Sequence, residues 1–335
     1  MKTYLVTGGL GFIGSNFIRH ILDKREEITV INVDKITYAA NPGNIPNGVK
    51  NYRFYKTDIA DNVGLSKVFD ENDVDYVINF AAESHVDRSI MTPGIFIKTN
   101  VDGTANLLEL SLKHNVKRFL QISTDEVYGS LGSTGKFSET TPLAPRSPYS
   151  ASKAAADMLV MSFFHTYDMP VLISRCSNNY GPYQFPEKLI PLAIINALHE
   201  KDIPLYGDGR NVRDWIYVAD HVAGISLILE KGKPGETYNI GGDSELENID
   251  IINHILDRLN GSHSLIKYVK DRPGHDRRYA MDFSKIASKM GFSPKYGIDK
   301  GIEYTVNWYL KNENWWKEIL SGDYREYYKK MYEYR

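Results

Sequence analysis

Two short segments near the middle of the chain contain side chains that are typical of proton transfer. The first, residues 123–129, reads STDEVYG and follows the apolar run FLQI. The second, residues 149–153, reads YSASK and is predicted to begin a helix, which puts Tyr149 and Lys153 on one face. Ligands of open α/β sheets bind beyond the carboxyl ends of the strands. A hydroxyl, two carboxyls, a phenol and an amine are therefore expected to meet in one crevice.

The residue types in these segments predict a redox site with an added acid–base pair. An ammonium group one turn away is expected to lower the pKa of the Tyr149 phenol, which is about 10 when unperturbed. Such a phenol can take a proton from a substrate hydroxyl while the same carbon gives a hydride to nicotinamide. Thr124 adds a hydroxyl beside it, and Asp125 and Glu126 add two carboxyls.

The elements at the N-terminus predict the site for the nucleotide. A β-prone run at residues 3–7 is followed by glycines at positions 8, 11 and 14 and then by a helical pattern. This arrangement suits a diphosphate at a helix N-terminus. Asp34 ends a second strand 20 residues after Gly14, where an acid binds the ribose of NAD and repels the phosphate of NADP. A structural turn with a helix-capping Asp34 is the alternative.

Further strands alternate with helical patterns, which predicts an α/β fold of the Rossmann type with a doubly wound parallel sheet. The strands are expected at residues 52–56, 76–82, 116–122 and 171–175, and residues 178–182 are expected to close the sheet. Asp58 is expected either to face the adenine or to cap the next helix. Ala81 and Ala82 leave room for a cofactor, and His85 in the next loop is a candidate for the substrate pocket. A long helix containing Asn100 is expected at residues 95–112.

Two lobes are predicted: residues 1–182 as an NAD-binding domain with the catalytic residues, and residues 183–335 mainly as a smaller, mixed α/β substrate lobe. The boundary is approximate, and the chain is allowed to cross it. Residues 129–148 are expected to cover the site, and the basic loop at residues 272–278 either binds phosphate or is simply solvated. Residues 314–335 are interpreted as helices without chemistry.

Composition excludes several classes of function. The 335 residues include 40 basic and 42 acidic ones, a net charge of -2 that does not suggest a nucleic-acid-binding protein. No apolar run approaches the roughly 20 residues that span a bilayer, and a strand by residue 3 leaves no room for a signal peptide. The single cysteine, Cys176, fits a reducing compartment. We therefore expect a cytoplasmic protein without a metal ion.

Taken together, these motifs resemble the extended short-chain dehydrogenase/reductases. Three segments, NFAAESHVD at residues 79–87, STDEVYG at residues 123–129 and NNYGPY at residues 178–183, closely resemble the dTDP-glucose 4,6-dehydratases of the RmlB/RfbB type. FPEKLIP at residues 185–191 and RPGHD at residues 272–276 extend the resemblance into the second lobe. It covers nearly the whole chain.

The resemblance implies a complete reaction with NAD as cofactor and dTDP-glucose as substrate. Tyr149 would take the proton of the 4-hydroxyl, held by Thr124, as hydride leaves C4. Glu126 would take the C5 proton while Asp125 protonates the departing 6-hydroxyl, and hydride would return to C6. The product would be a 4-keto-6-deoxy sugar for deoxysugar biosynthesis. Asp125 must hold a proton, so we expect burial and Glu126 to raise its pKa.

The resemblance also assigns binding residues, which we state as expectations. The catalytic group comprises Thr124, Asp125, Glu126, Tyr149 and Lys153. The cofactor would be bound by Gly8, Gly11, Phe12, Ile13, Gly14, Asp34, Lys35, Thr37, Asp58, Ile59, Ala81, Ala82, Ser84, Thr99, Tyr149, Lys153 and Asn178. The substrate would be bound by Ser84, His85, Thr124, Asn179, Glu187, Lys188, Leu189, Arg213, Asn248, Arg272 and His275. Residues 243–247 and the short cover depart from the usual family pattern.

Alternative functions remain open at this point. Another NAD-dependent nucleotide-sugar epimerase, dehydratase or decarboxylase would share the Tyr–Lys pair, but Asp125 followed by Glu126 favours the glucose dehydratase. A non-catalytic NAD-binding regulator is the alternative from a different class, and it would not need the two acids. By resemblance, the helices at residues 95–112 and 151–167 would pair across a homodimer.

Overall fold

The computed structural model describes residues 2–24 and 27–320, and its first half is an alternation of strands and helices. The elements are β1 (Lys2–Thr7), α1 (Phe12–Lys24), β2 (Ile28–Asp34), β3 (Tyr52–Lys56), α2 (Asn62–Asp70), β4 (Tyr76–Asn79), α3 (Val86–Met91), α4 (Pro93–Phe96), a π-helical segment (Ile97–Asp102), α5 (Gly103–Lys113), β5 (Arg118–Thr124), a 3-10 turn (Asp125–Tyr128), α6 (Pro148–Tyr167) and β6 (Val171–Cys176). The predicted strands and helices are thus present, with shifted ends.

The second half contains shorter strands and more helices. They are β7 (Asn178–Tyr180), α7 (Leu189–Leu198), β8 (Ile203–Tyr206), β9 (Val212–Tyr217), α8 (Val218–Lys231), β10 (Glu236–Ile240), β11 (Glu245–Glu247), α9 (Asn248–Leu259), β12 (Ile266–Val269), α10 (Ser284–Met290), α11 (Ile298–Lys311) and α12 (Glu313–Leu320). Two short 3-10 turns, Pro42–Asn44 and His263–Leu265, complete the set.

The main sheet has seven parallel strands in the order β10-β6-β5-β4-β1-β2-β3. Reversal of the strand order beside β1 is the doubly wound arrangement, which confirms the predicted fold class. The expectation that residues 178–182 close the sheet is wrong, because β7 pairs with β9 in a separate sheet and β10 pairs in parallel with β6. The chain thus returns to the first lobe after residue 183, since α8 supplies the crossover that a parallel pair requires.

Apolar side chains cover both faces of this sheet. Phe17 and Ile18 of α1 pack with Ile225 of α8 on one face, and Leu107 of α5 packs with Val160 of α6 on the other. The strands between them are buried on both sides, as near-continuous apolar runs demand. The two layers fix the sheet, so the loops at its carboxyl edge project from a rigid base.

The second lobe has its own apolar core. It contains Ile194 of α7, Ile255 of α9 and Ile302 of α11, and it lies beside the three-stranded sheet β11-β9-β7 and the pair β12-β8. Trp316 of α12 is buried there, and its indole nitrogen donates to the Tyr309 carbonyl at 2.9 Å. The interpretation of residues 314–335 as helices is therefore correct to Leu320, and residues 321–335 lie outside the described part.

No helix among the described residues is both long and apolar enough to cross a membrane. The same residues contain no group of three or more His, Cys, Asp or Glu side chains arranged to hold a metal ion.

Candidate active site

The turn between β1 and α1 is built by three glycines that have different tasks. Gly8 adopts a φ of 67°, and a Cβ there would lie 2.7 Å from the Ala81 nitrogen. A Cβ on Gly14 would collide with the Gly8 carbonyl oxygen. A Cβ on Gly11 would meet only the Gly8 oxygen, at 3.3 Å, so this position is open toward the cleft. A diphosphate in the cleft can therefore closely approach the free amides at the start of helix α1.

Asp34 ties this turn to the end of β2. One carboxylate oxygen accepts from the Leu10 amide at 3.1 Å, and the other accepts from the Ile36 amide at 2.9 Å. Burial raises the pKa of Asp34, while these hydrogen bonds and Lys35 oppose the rise. Asp34 does not cap a helix, so the alternative of a capping role is wrong. Its carboxylate lines the cleft at the position predicted for the ribose.

A group of polar side chains surrounds Lys35 at the same end of the cleft. The ammonium nitrogen lies 3.1 Å from the Thr99 hydroxyl, 3.4 Å from Glu83 and 3.7 Å from Asp58. Asp58 accepts from the Ala60 amide at 2.9 Å, whereas Asp61 caps α2 through the Gly64 amide. The capping role considered for Asp58 therefore belongs to Asp61, and Asp58 is left beside the cleft.

These residues line one cleft of about 300 Å³ along the carboxyl edge of the sheet. Every side chain and glycine predicted for the cofactor lies on its wall: Gly8, Gly11, Phe12, Ile13, Gly14, Asp34, Lys35, Thr37, Asp58, Ile59, Ala81, Ala82, Ser84, Thr99, Tyr149, Lys153 and Asn178. The glycine turn, the open amides and the acid at the end of β2 fit a dinucleotide in shape and in charge.

The segment predicted to contain the catalytic acids begins where β5 ends. Thr124 caps the 3-10 turn: its hydroxyl accepts from the Glu126 amide at 3.2 Å and donates to Asp125 at 3.1 Å. The same hydroxyl also contacts the Tyr149 phenol, where it opposes the rise in pKa that burial causes. The turn thus directs the two carboxyls and the phenol to one point, as the sequence predicted. The other Asp125 oxygen is buried without a hydrogen-bond partner among the described residues.

The two adjacent acids lie in unequal electrostatic surroundings. Burial raises the pKa of Asp125 well above its usual value, and the Glu126 charge raises it further. This confirms the predicted direction and both of its causes. Burial also raises the pKa of Glu126, but the cations Arg272, Lys188 and Arg213 oppose the rise. Asp125 is therefore the better proton donor of the pair, and Glu126 the better base.

Helix α6 positions the phenol and the amine. Pro148 occupies its first turn, and Ser147 and Ser150 form a reciprocal capping box. The Lys153 ammonium donates to the Ile122 carbonyl at 2.6 Å, while burial lowers its pKa. The four-residue spacing thus brings both side chains to the end of β5.

The sequence predicted that Lys153 lowers the pKa of Tyr149. This direction is wrong for the protein without a bound cofactor. Burial raises the pKa of this phenol well above its usual value, and the charges of Glu126, Cys176 and Asp125 raise it further. Three acidic groups surround the phenol, and this crowding follows from the fold rather than from the local sequence. The Lys153 ammonium does not offset these effects.

A second cleft of about 170 Å³ adjoins the first and reaches into the second lobe. Except for Thr124, which lines the first cleft, the residues predicted for the substrate lie on its wall: Ser84, His85, Asn179, Glu187, Lys188, Leu189, Arg213, Asn248, Arg272 and His275. Glu126 lines both clefts. A molecule bound in the second cleft can therefore reach the reacting groups of the first.

The far end of the second cleft is positively charged. The Arg213 guanidinium donates to the Asp276 carbonyl at 2.9 Å and lies 4.3 Å from the centre of the Tyr279 ring. Arg272 approaches Asp87 at 3.9 Å. Burial lowers the pKa of His275 to about 4, and the charges of Arg272 and Arg213 lower it further. The buried Arg213 and the partly buried Arg272 beside an open cleft suit an anionic group such as a diphosphate.

The near end contains His85 and Glu187. The His85 imidazole nitrogen lies 3.9 Å from Glu187, whose carboxylate accepts from the Tyr38 hydroxyl at 3.0 Å. Burial lowers the pKa of His85 well below its usual value, so the ring is neutral at pH 7. Elsewhere on the wall of the second cleft, Asn248 at the start of α9 has a buried amide oxygen without a partner among the described residues. This amide oxygen is thus available to a hydroxyl-rich ligand.

Sequence reasoning missed several residues that build the site. Asn100 lies in the π-helical segment, where it donates to the Glu83 carbonyl at 3.0 Å and to the Ser152 hydroxyl at 2.8 Å. Asp87 and Tyr206 line the second cleft and are joined by a hydrogen bond of 3.2 Å. Asp87 stands inside a segment that resembles the family, but nothing in its spacing marks a partner 119 residues away. Such contacts arise only from the tertiary fold.

Comparisons with known proteins agree with this geometry. The family model described as GDP-mannose 4,6 dehydratase matches residues 5–305. A dTDP-glucose 4,6-dehydratase from Xanthomonas campestris pv. campestris is 51% identical over 97% of this chain and 98% of its own length. One from Neisseria meningitidis is 48% identical over 97% of this chain and 98% of its own length.

Solved structures extend the agreement. The dTDP-glucose 4,6-dehydratase of Bacillus anthracis, in complex with NAD, is 48% identical, with a TM-score of 0.89 over 95% of this chain and all of that one. DesIV of Streptomyces venezuelae, a dTDP-glucose 4,6-dehydratase with NAD and TYD bound, is 45% identical, with a TM-score of 0.91 over 95% of this chain and 99% of that one. This chain therefore belongs to the extended short-chain dehydrogenase/reductases, and among them to the family of the dTDP-glucose 4,6-dehydratases.

Proposed function

We propose that this protein is an NAD-dependent hydro-lyase that converts dTDP-glucose to dTDP-4-keto-6-deoxy-glucose. The observation that carries the proposal is the adjacent pair of buried Asp125 and partly buried Glu126. Burial and Glu126 raise the pKa of Asp125, whereas three cations oppose the rise that burial causes for Glu126. Elimination of water needs an acid and a base at once, and this pair provides both. An epimerase does not eliminate water and therefore does not need this pair.

The residues of the first cleft act on the sugar in sequence. Tyr149 takes the proton of the 4-hydroxyl while Thr124 holds that oxygen, a role that requires the positive charge of bound NAD⁺ to lower the pKa of the phenol, which burial raises in the protein alone. NAD⁺, when bound, accepts the hydride from C4 and returns it to C6 after water has left. Glu126 removes the C5 proton, which the new 4-ketone has made acidic, and gives it back to C5 when hydride adds to C6. Asp125 gives its proton to the 6-hydroxyl, which departs as water.

The second cleft would hold the rest of the substrate. Arg213 and Arg272 are placed for the diphosphate, with His275 and Asn248 beside them. Glu187 and Lys188 lie between the clefts and would position the sugar. Binding energy from the nucleotide thereby keeps the sugar in place for all three steps.

One incubation tests the reaction. The protein is mixed separately with dTDP-glucose, UDP-glucose and GDP-mannose, and each product is examined by mass spectrometry for the loss of one water. We expect a 4-keto-6-deoxy product from dTDP-glucose and none after Tyr149→Phe. Loss of water from GDP-mannose alone, or no product from any of the three sugars, would contradict the proposal.

We further propose that the protein is a cytoplasmic homodimer that pairs through α6 and the helical run from α3 to α5. Apolar side chains on these packed elements are exposed: Ile90, Met91, Ile95, Ile97 and Met158. Such clustering typically marks a protein interface. The only cysteine, Cys176, is a buried free thiol, which fits a reducing compartment.

A further inference from the structure

Arg175 of β6 and Asp157 of α6 form a buried ion pair that has no part in the reaction proposed above. The Arg175 guanidinium donates to Asp157 at 2.8 Å, and the exposed fractions of the two side chains are 7% and 1%. The Asp157 oxygen that accepts this bond also accepts from the Ser123 hydroxyl at 3.0 Å. A buried pair of this kind often contributes little to stability compared with apolar replacements, so its presence calls for another role.

Asp157 also lies next to Lys153. The two residues are four positions apart on α6, and both are buried. This spacing places the carboxylate and the ammonium on the same face of the helix. The second oxygen of Asp157 has no hydrogen-bond partner among the described residues, so half of the carboxylate is not used by Arg175 or Ser123.

The hydrogen bonds connect Asp157 to Lys153 by a second route. Lys153 donates to the carbonyl of Ile122, and Asp157 holds the side chain of the next residue, Ser123. The Ser123 carbonyl in turn accepts from the Cys176 thiol at 3.4 Å. Asp157 thus fixes the part of β5 on which the position of Lys153 depends.

Charged and titratable groups from three elements surround Asp157 and Lys153. Arg175 and Cys176 face it from β6, Asp125 and Tyr128 from the turn after β5, and Tyr149 and Lys153 from α6. Asn100, which bonds to Ser152, is the uncharged neighbour from the π-helical segment. Burial lowers the pKa of Lys153, and the Asp157 charge is the first of the effects that oppose this.

We propose that Asp157 is a positioning residue for the redox steps, the shared counter-ion that keeps Lys153 charged and holds the β5 carbonyl to which Lys153 donates. This inference rests on the proposed function, since Lys153 lines the cofactor cleft together with Tyr149, the proposed base of the first step. The competing explanation is that Asp157 only neutralises Arg175 and has no effect on Lys153.

Three variants separate these explanations. Asp157→Asn removes the carboxylate charge and keeps the shape. The double variant Asp157→Asn/Arg175→Met removes both buried charges, so it leaves no unpaired guanidinium and provides the comparison if the single variant fails to fold. Arg175→Met alone is the matched control that keeps Asp157. For each folded protein, turnover and the affinity for NAD⁺ by calorimetry are measured against pH.

We expect both variants that lack Asp157 to lose activity and NAD⁺ affinity at the alkaline end first. The loss should be about tenfold at a pH where the parent protein still works at its maximum, since the removed charge is the one that most opposes the effect of burial on Lys153. Arg175→Met should keep the alkaline behaviour of the parent. A double variant with the parent's alkaline profile would overturn the inference. A parent without turnover would instead contradict the proposed function, and the pH profile of NAD⁺ affinity would still test Asp157.

Discussion

At the scale of single residues, two neighbouring acids acquire different chemistry from different surroundings. Burial and, after it, the Glu126 charge raise the pKa of Asp125. Burial also raises the pKa of Glu126, but the charges of Arg272, Lys188 and Arg213 oppose that rise. The unperturbed pKa values of an aspartate and a glutamate side chain are almost alike. Their assignment as acid and base therefore comes from burial and from cations that belong to the second lobe.

The acid role predicts a specific kinetic defect for Asp125→Asn. An amide cannot protonate the departing 6-hydroxyl, so water loss should slow by about a hundredfold or more while C4 oxidation continues. Reduced cofactor should therefore accumulate, visible by its absorbance in a stopped-flow experiment. Asp73→Asn makes the same change at an exposed position and should behave like the parent. Equal slowing of oxidation and water loss would show that Asp125 has another task.

The raised pKa of Asp125 also predicts a dependence of stability on pH. The folded state keeps this proton above about pH 4, where the unfolded state releases it, so the group's contribution to stability is lost as pH rises toward its folded pKa. Asp125→Asn carries no such proton. Its melting temperature should equal that of the parent near pH 4 and exceed it by a few degrees at pH 7, as calorimetry can measure. A variant that is less stable at pH 7 would contradict this prediction.

At the scale of elements, the turns and helix ends do most of the positioning. The β1 turn presents helix amides, the Ser147 cap starts α6, and the π-helical segment directs Asn100 toward Glu83 and Ser152. The first two are visible as residue patterns, because glycines and a Ser–Pro cap have strong local preferences. The π-helical turn is not, because the same residues are compatible with an ordinary α-helix.

The glycine turn predicts opposite outcomes for two similar substitutions. Gly14→Ala forces a Cβ against the Gly8 carbonyl and should lower the melting temperature strongly. Gly11→Ala meets only one atom, at 3.3 Å, so the fold should survive while the methyl group occupies the cleft and weakens NAD⁺ binding about tenfold or more. Calorimetry measures both quantities. Gly297→Ala, where a Cβ would meet nothing within 4 Å, is the control. Unchanged NAD⁺ affinity of Gly11→Ala would exclude a diphosphate at this turn.

At the scale of the whole molecule, the site depends on both lobes. Tyr38 follows β2 in the first lobe, yet its hydroxyl donates to Glu187, 149 residues later, and its ring lies against the Arg88 guanidinium. The wall of the cofactor cleft likewise includes Phe185 and Lys188 from the second lobe. Neither lobe alone forms the site, so cofactor and substrate binding are expected to depend on each other.

The proposed dimer predicts the effect of a charge on α6. Met158 is 60% exposed, and Met158→Glu places a carboxylate within the apolar face, where association would bury it. The variant should elute as a monomer at concentrations at which the parent is a dimer, as light scattering coupled to gel filtration can measure. Leu310→Glu makes a comparable change at an exposed position of α11 and should remain dimeric. A monomeric parent protein would remove the dimer proposal.

The sequence by itself determined the fold class, the cofactor cleft and the choice of the residues that we propose to react. These features follow from local patterns: apolar runs, glycines at fixed spacing, an acid at the end of β2, and five functional side chains in two short segments. The physical reason is that each pattern limits its own backbone or its own chemistry.

Only the tertiary structure decided the rest. Strand β10 joins the main sheet from the second half of the chain, and Asp61, not Asp58, caps α2. The pKa of Tyr149 rises instead of falling, because burial and the acids around the phenol outweigh the lysine. Pairing across long sequence distances, burial and the sum of surrounding charges depend on where the whole chain places its groups, and no local pattern contains that information.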